Sequence, residues 1–315
     1  MEVNLGSITG YYTTFLAPKW GLAYDRTPAV YKTLTTEEPS STLQNTYAWP
    51  DRLPKLREWI GERQEKNVSI FPMTVINRKF EETISVTRDQ FEDDTYKLLS
   101  FLPIGLGEAS AKYPDYILRD LLEAGETTLC YDGQDFFSTS HPVNPFNTAL
   151  GNYTNLQTAC ALTVDNFAAQ VAAMKQLNGA DGEKLNVAPD TLIVGPDLEH
   201  EATRILFGKT LAEATMGAVT GVGGQDNVLA ISAGRYGVKN LVVWNDLKLT
   251  GKWYLADNSK GVKPLIWQNR IAPQLTPMID PSSEKVFYQD KFVWGVRARG
   301  NASFSLPFLM RKMAA

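Results

Sequence analysis

The run from Val68 to Gly125 limits this chain most: two strand-like segments on either side of a charged break, then a long helical pattern interrupted by proline. Val68 to Ile76 and Phe80 to Arg88 are rich in β-branched and aromatic residues at period two, the pattern of half-buried strands. Asn77, Arg78 and Lys79 between them read as a turn, so the pair is expected to form a hairpin. Phe80, Ile84 and Val86 share one face of the second segment, interrupted only by Glu82. A lone two-stranded hairpin is marginal in water, so that face needs cover. Pro72 removes a ladder donor and belongs on an edge. Together these features predict a projecting arm covered by a neighbouring copy of the same chain; the alternative is a hairpin folded back on its own domain.

Beyond the arm, Asp89 to Leu102 reads as a helix with acidic residues near its positive end. After Pro103 a second helical segment carries Leu106, Ala109, Tyr113, Ile117 and Leu121 on one face, and Gly125 is its stop. Before the arm, residues 1–60 show little periodicity and scattered prolines, but Trp20, Tyr31, Tyr47, Trp49 and Trp59 give them apolar area that must rest on a surface. Leu53 to Ile60 is read as one short helix. Further on, Thr163 caps a helix with Phe167, Val171 and Met174 inward, and Thr191 to Val194 is a buried strand. Pro196 opens a helix to Phe207. Strands are expected at Leu241–Trp244, Lys252–Leu255, Pro264–Trp267 and Val286–Arg299. Helices and strands mix without regular alternation, which reads as an α+β fold.

Composition excludes several classes. Acidic residues outnumber basic ones, 35 to 31, so a protein gripping nucleic acid tightly is not expected; contact with DNA would be weak and nonspecific. The opening Met1 to Gly6 carries no secretory pattern, and no apolar run reaches the roughly 18 residues that span a bilayer, so no membrane partner is expected. Two cysteines are too few for a disulfide framework in 315 residues.

Catalytic patterns mostly fail on inspection. His200-Glu201 opens like a zinc-protease helix, but Arg204 stands where the second histidine belongs. Gly208-Lys209-Thr210 resembles the end of a phosphate loop, but Thr203 replaces its first glycine. Cys130, Asp132 and His141 are close enough in sequence to pose as a thiol nucleophile with its base; the competing reading is a buried thiol, a turn aspartate and a histidine held before Pro142. Phe292 to Arg299 alternates aromatic and basic residues, which a sheet with one apolar side explains without RNA; Arg297 and Arg299 then suit carboxylates across a subunit boundary. Neither a metal nor an organic cofactor is expected.

Several segments, in order, resemble the major head subunits of Mu-like phages and prophages, a branch of the tailed-phage capsid fold named after phage Hong Kong 97. They are Trp49-Pro-Asp-Arg-Leu-Pro-Lys-Leu-Arg-Glu-Trp59 with Gly61-Glu-Arg63, Asn77-Arg-Lys-Phe-Glu81, Cys130-Tyr-Asp-Gly-Gln-Asp-Phe-Phe137, Pro264-Leu-Ile-Trp-Gln-Asn-Arg270 and Gly295-Val-Arg-Ala-Arg299. The resemblance implies an N-terminal arm (1–60), an extended loop (61–88), a peripheral domain with a spine helix (89–139 and 278–315) and an axial domain (140–277). It implies a non-enzymatic shell protein forming homo-pentamers and homo-hexamers around double-stranded DNA, built in the bacterial host cytoplasm. A separate scaffold, a portal and a head decoration protein are its implied partners. Intersubunit contacts are expected at Trp49, Trp59, Arg63, Arg78, Lys79, Glu81, Glu82, Arg297 and Arg299, and Gly221, Gly223 and Gly224 are expected near the capsomer axis. A cargo-carrying compartment of the same fold, or a Cys130/His141 hydrolase, is the alternative.

Overall fold

The computed structural model describes residues 10, 12–50, 70–93, 99, 101–145, 147–180, 182–208, 210–211, 225–226, 237–247 and 250–315. Its strands are β1 (Thr35–Pro39), β2 (Gln44–Pro50), β3 (Ile70–Ile76), β4 (Arg78–Thr87), β5 (His141–Pro142), β6 (Asn152–Tyr153), β7 (Leu156–Gln157) and β8 (Thr191–Val194). They continue as β9 (Thr210–Leu211), β10 (Gln225–Asp226), β11 (Asn240–Val243), β12 (Lys252–Ala256), β13 (Leu265–Met278), β14 (Lys291–Phe304) and β15 (Met310–Ala314). Two sheets dominate: one of four strands in the order β1-β13-β14-β4, the other of five in the order β11-β8-β12-β15-β7.

The expected hairpin does not form. β3 pairs antiparallel with β2, from Pro50 opposite Ile70 to Gln44 opposite Ile76. β4 runs instead along β14, from Thr87 opposite Lys291 to Arg78 opposite Gly300. The alternation of β4 holds, but its partner is β14 and not β3. In register with β14, the apolar face of β4 meets Phe292, Trp294 and Ala298 and shares their core with Leu16, Leu99 and Val286. Each side chain so buried contributes roughly 1.5–3 kcal/mol, which a bare hairpin cannot match. The cover for Val86 and Ile84 therefore comes from the chain itself, not from a neighbour. Pro72 does sit in a two-stranded ribbon, the one place where a missing donor costs little.

The N-terminal segment is also more regular than expected. Ala17–Arg26 is a helix lying against the spine helix Leu102–Glu123, and β1 joins the four-stranded sheet in parallel with β13. Trp20 Nε1 donates to Ser110 Oγ at 3.3 Å. Asp115, on the spine helix, accepts from the backbone N–H groups of Val30 and Tyr31 at 3.0 and 2.8 Å. Burial pushes that carboxyl's pKa up, against the pull of those two donors. Cover on a second side explains why the spine's buried positions (Leu106, Gly107, Ser110, Ala111, Pro114, Asp115, Leu118, Leu122) are broader than the expected stripe, with Ala109 left exposed. At Gly107 an added Cβ would stand 2.5 Å from the Trp20 carbonyl oxygen and 2.8 Å from Ala23 Cβ. Gly107→Val is expected to cost about 1–3 kcal/mol by overpacking, read as a lower urea midpoint at unchanged slope.

The five-stranded sheet separates two cores. Leu192, Val194, Trp253, Leu255 and Met313 face the helices Val164–Lys175 and Glu199–Phe207, while Ile193, Tyr254, Ala256 and Met310 face Phe137, Trp244 and Leu122. Thr191–Val194 is buried throughout, as its unbroken apolar run predicted. Thr163 caps the first of these helices by accepting from Asn166 N at 3.3 Å.

Three boundaries are corrected. Leu265–Met278, expected at the end of the 140–277 domain, is a fourteen-residue strand of the four-stranded sheet. The last strand, Met310–Ala314, expected in the peripheral domain, lies between β12 and β7 in the five-stranded sheet, with Met310 packed toward Leu122 of the spine. Glu284–Gln289 is helical, and the strand expected from Val286 begins at Lys291, after Asp290 turns left-handed at φ 49°. Leu53–Ile60 lies outside the described residues, as does most of the expected helix beyond Asp93. Among the described residues no helix is long and apolar enough to cross a membrane.

Candidate intersubunit surface

Residues directly opposite in an antiparallel pair share a face. The register sets Arg297 against Glu81 and Arg299 against Lys79, so these four stand on the outer face of the four-stranded sheet, away from Phe292 and Trp294. Burial along β14 alternates accordingly, with Phe292, Trp294, Val296 and Ala298 buried and Arg297 exposed. Glu82 opposes Val296 and Arg78 opposes Gly300, on the inner side, where the Arg78 guanidinium lies 5.5 Å from the Phe80 ring centroid.

The outer charges are not neutralised among the described residues. Glu81 accepts from Thr83 Oγ1 at 2.9 Å. Among the described residues no ion pair includes Arg297, Arg299 or Lys79. Arg299 Nε is buried without an acceptor, and its cross-strand neighbour is Lys79, a like charge that disfavours the pairing. Two cations facing each other beside an unpaired arginine form a surface that would accept carboxylates from outside.

Beside it stands the base of the β2–β3 ribbon. Tyr47 OH donates to Gln268 Oε1 at 2.9 Å, Gln268 Nε2 donates to Asn77 Oδ1 at 2.8 Å, and Asn77 Nδ2 donates to Ser40 Oγ at 2.8 Å and Thr42 O at 2.9 Å. Asn301 Nδ2 donates to Ile76 O at 2.8 Å. Phe71 packs on Tyr131 with ring centroids 5.6 Å apart. This network pins both ribbon strands to the body. Trp49, expected at an intersubunit contact, is only 8% exposed and is buried against its own chain. Asn77, read as a turn residue, is instead the hinge between two sheets. Gln268 lies in a segment that carries the resemblance, but no pattern within it points to partners 191 and 221 residues away. Trp59, Arg63, Gly221, Gly223 and Gly224 lie outside the described residues.

The structure joins Asp132 and His141 by a hydrogen bond and turns the Cys130 thiol to a different acceptor. His141 Nδ1 is 2.6 Å from Asp132 Oδ2, and Nε2 is 3.1 Å from the Phe136 carbonyl oxygen, so both ring nitrogens are engaged. The Cys130 thiol instead faces the Ser305 carbonyl oxygen at 3.8 Å, and burial pushes its pKa far above the usual thiol range. A base with no nitrogen to spare and a thiol held protonated do not make a nucleophile. Among the described residues no cluster of three or more metal-ligating side chains occurs.

Comparison with known proteins agrees with this picture. Residues 11–160, 153–223 and 235–313 match the model of the family described as Mu-like prophage major head subunit gpT. A Mu-like prophage FluMu major head subunit of Haemophilus influenzae is 28% identical over 286 residues, 91% of this chain and 66% of that protein. The major capsid protein of Escherichia phage Mu is 36% identical over 128 residues, 41% of this chain and 42% of that protein. The chain thus spans about two thirds of the first relative's length and matches less of the second. Among solved structures, a subunit of the bacteriophage JBD30 procapsid superimposes with TM-score 0.60 at 27% identity, covering 99% of this chain and 76% of that one. A virus-like particle from Pyrococcus furiosus shares the fold at 11% identity, with TM-score 0.53 over 96% of this chain and 99% of that one.

Proposed function

Since this chain belongs to the family of Mu-like prophage major head subunits, with the α+β capsid fold of Hong Kong 97-like phages, we propose that it is the repeating subunit of a phage head. Its copies associate as homo-pentamers and homo-hexamers and close into an icosahedral shell around double-stranded DNA in the host cytoplasm. The observation that carries this reading is the family match along nearly the whole chain, together with a likeness to a procapsid subunit that covers 99% of it. The cations Lys79, Arg297 and Arg299, not neutralised among the described residues, support it from within the molecule, as groups that a neighbour's carboxylates would complete.

In this reading the four-stranded sheet and spine helix form the peripheral domain, and the five-stranded sheet with its two helices forms the axial domain. The extended loop is built on the β2–β3 ribbon, while β4, expected within it, belongs to the four-stranded sheet. A separate scaffold and a portal are its assembly partners. A decoration protein is a further one, by analogy with a JBD30 capsid carrying minor capsid protein trimers. DNA is held by enclosure, with only weak nonspecific contact, since the chain is net acidic.

Electron microscopy of the purified protein, alone and with a co-expressed scaffold, is expected to show closed shells. Nuclease treatment then separates a DNA container from a cargo compartment by what survives inside. A protein that stays monomeric at high concentration in both preparations would overturn the reading.

A further inference from the structure

Two features of the long sheet, one at its end and one within β13, are left open among the described residues. The first is an aromatic knob. The short helix Glu284–Gln289 joins β13 to β14 and is fixed by buried Val286, by the turn in which Asp280 accepts from Ser282 N at 2.8 Å, and by the Arg88–Asp290 ion pair at 2.7 Å. On this fixed platform Phe287 and Tyr288 are 72% and 78% exposed, with rings edge to face at 5.0 Å. Together they present roughly 300 Å² of largely apolar surface, the size of the largest patch on an ordinary monomer.

The second feature is a broad, open recess lined by Glu37, Pro39, Ser40, Asn269, Arg270 and Ala272. The β13–β14 register slips between Asn269 and Ile271, which makes Arg270 the extra residue of a bulge, a device that re-aims a side chain. Its guanidinium makes one long hydrogen bond, to Ser40 O at 3.4 Å, leaves Nε without an acceptor, and forms no ion pair among the described residues. A flat cation between Pro39 and Ala272 suits the face of an aromatic ring. The Glu37 carboxylate, which already accepts from Asn269 Nδ2 at 2.7 Å, keeps lone pairs for a phenol hydroxyl.

We propose that the Phe287–Tyr288 knob of one copy seats in the Arg270 recess of another, an inference that rests on the shell reading above. The chain's own knob cannot reach: eight strand residues separate Arg270 from Met278, roughly 26 Å. Knob and recess are different patches, so the contact is head to tail, the kind that generates rings when the rotation closes.

Two measurements on the full chain test it. The paired variant F287S/Y288S removes only exposed side chains, so its melting curve should superimpose on the parent's while particle yield falls about tenfold or more. A photoreactive benzoylphenylalanine at position 288, irradiated in concentrated protein, should give a two-copy product whose cross-linked peptide contains Asn269 to Ala272. Parental particle yield from the paired variant, or a cross-link mapping elsewhere, overturns the proposal. Failure of the parent to form any particle would count against the shell reading alone, because the cross-link still decides this contact.

Discussion

Joining Pro50 to Ile70 through an Asn-Gly turn, with residues 51–69 removed, is expected to yield a folded subunit that no longer closes into shells. Pro50 and Ile70 are register partners in an antiparallel pair, so a two-residue turn closes the ribbon where its strands already meet. The base is undisturbed, because Tyr47, Asn77, Gln268 and Asn301 all lie below the cut. The subunit should therefore still unfold in one cooperative transition, while particle yield falls at least about a hundredfold. Shortening β4 gives the control. It strips the edge from Phe292 and Trp294 and should unfold the subunit outright. Normal particles from the 51–69 excision would show that this segment does not join copies.

Asp132→Ala is expected to cost about 3–5 kcal/mol, more than any surface change, because it breaks a pair sealed from water. The His141 side chain is wholly buried and that of Asp132 is 2% exposed. The Phe136 carbonyl oxygen can only accept, so His141 Nε2 carries a proton toward it, and the Nδ1–Asp132 contact at 2.6 Å must share another. Asn155 Nδ2 donates to the same carbonyl at 2.7 Å, and Tyr153 stacks on the imidazole at 5.2 Å. Removing the carboxylate leaves a buried ring nitrogen with no partner. The double variant Asp132→Ala/His141→Phe should recover part of the loss, since replacing both members of a buried pair by apolar groups is milder than stranding one. Urea unfolding of the three proteins measures the coupling; a single variant within about 1 kcal/mol of the parent would mean the pair does not hold this loop.

The residues reveal much locally. Thr163 is a helix cap, Thr191–Val194 is buried on both faces, Leu102–Glu123 is a spine, and β14 has one apolar side; each signal lies within a single segment at period two or 3.6. Ala17–Arg26 was missed because none of its residues is deeply buried and Pro18 and Gly21 punctuate it; it is held by the close approach that Gly107 permits. The Asp132–His141 constellation was noticed, but sequence proximity carried no statement of which atoms face which, and geometry made it a structural brace.

What the chain's order of residues determined, then, was many of the elements beyond residue 60, their faces and their kinship with phage head subunits. What only the tertiary structure decided was partnership: that β3 belongs to β2 and β4 to β14, that Leu265–Met278 joins one sheet and Met310–Ala314 the other, and that Trp49 turns inward. The reason is that alternation tells a strand which side to bury but not against what. Many distant strands offer an acceptable face, and the choice among them falls to the packing of the whole core.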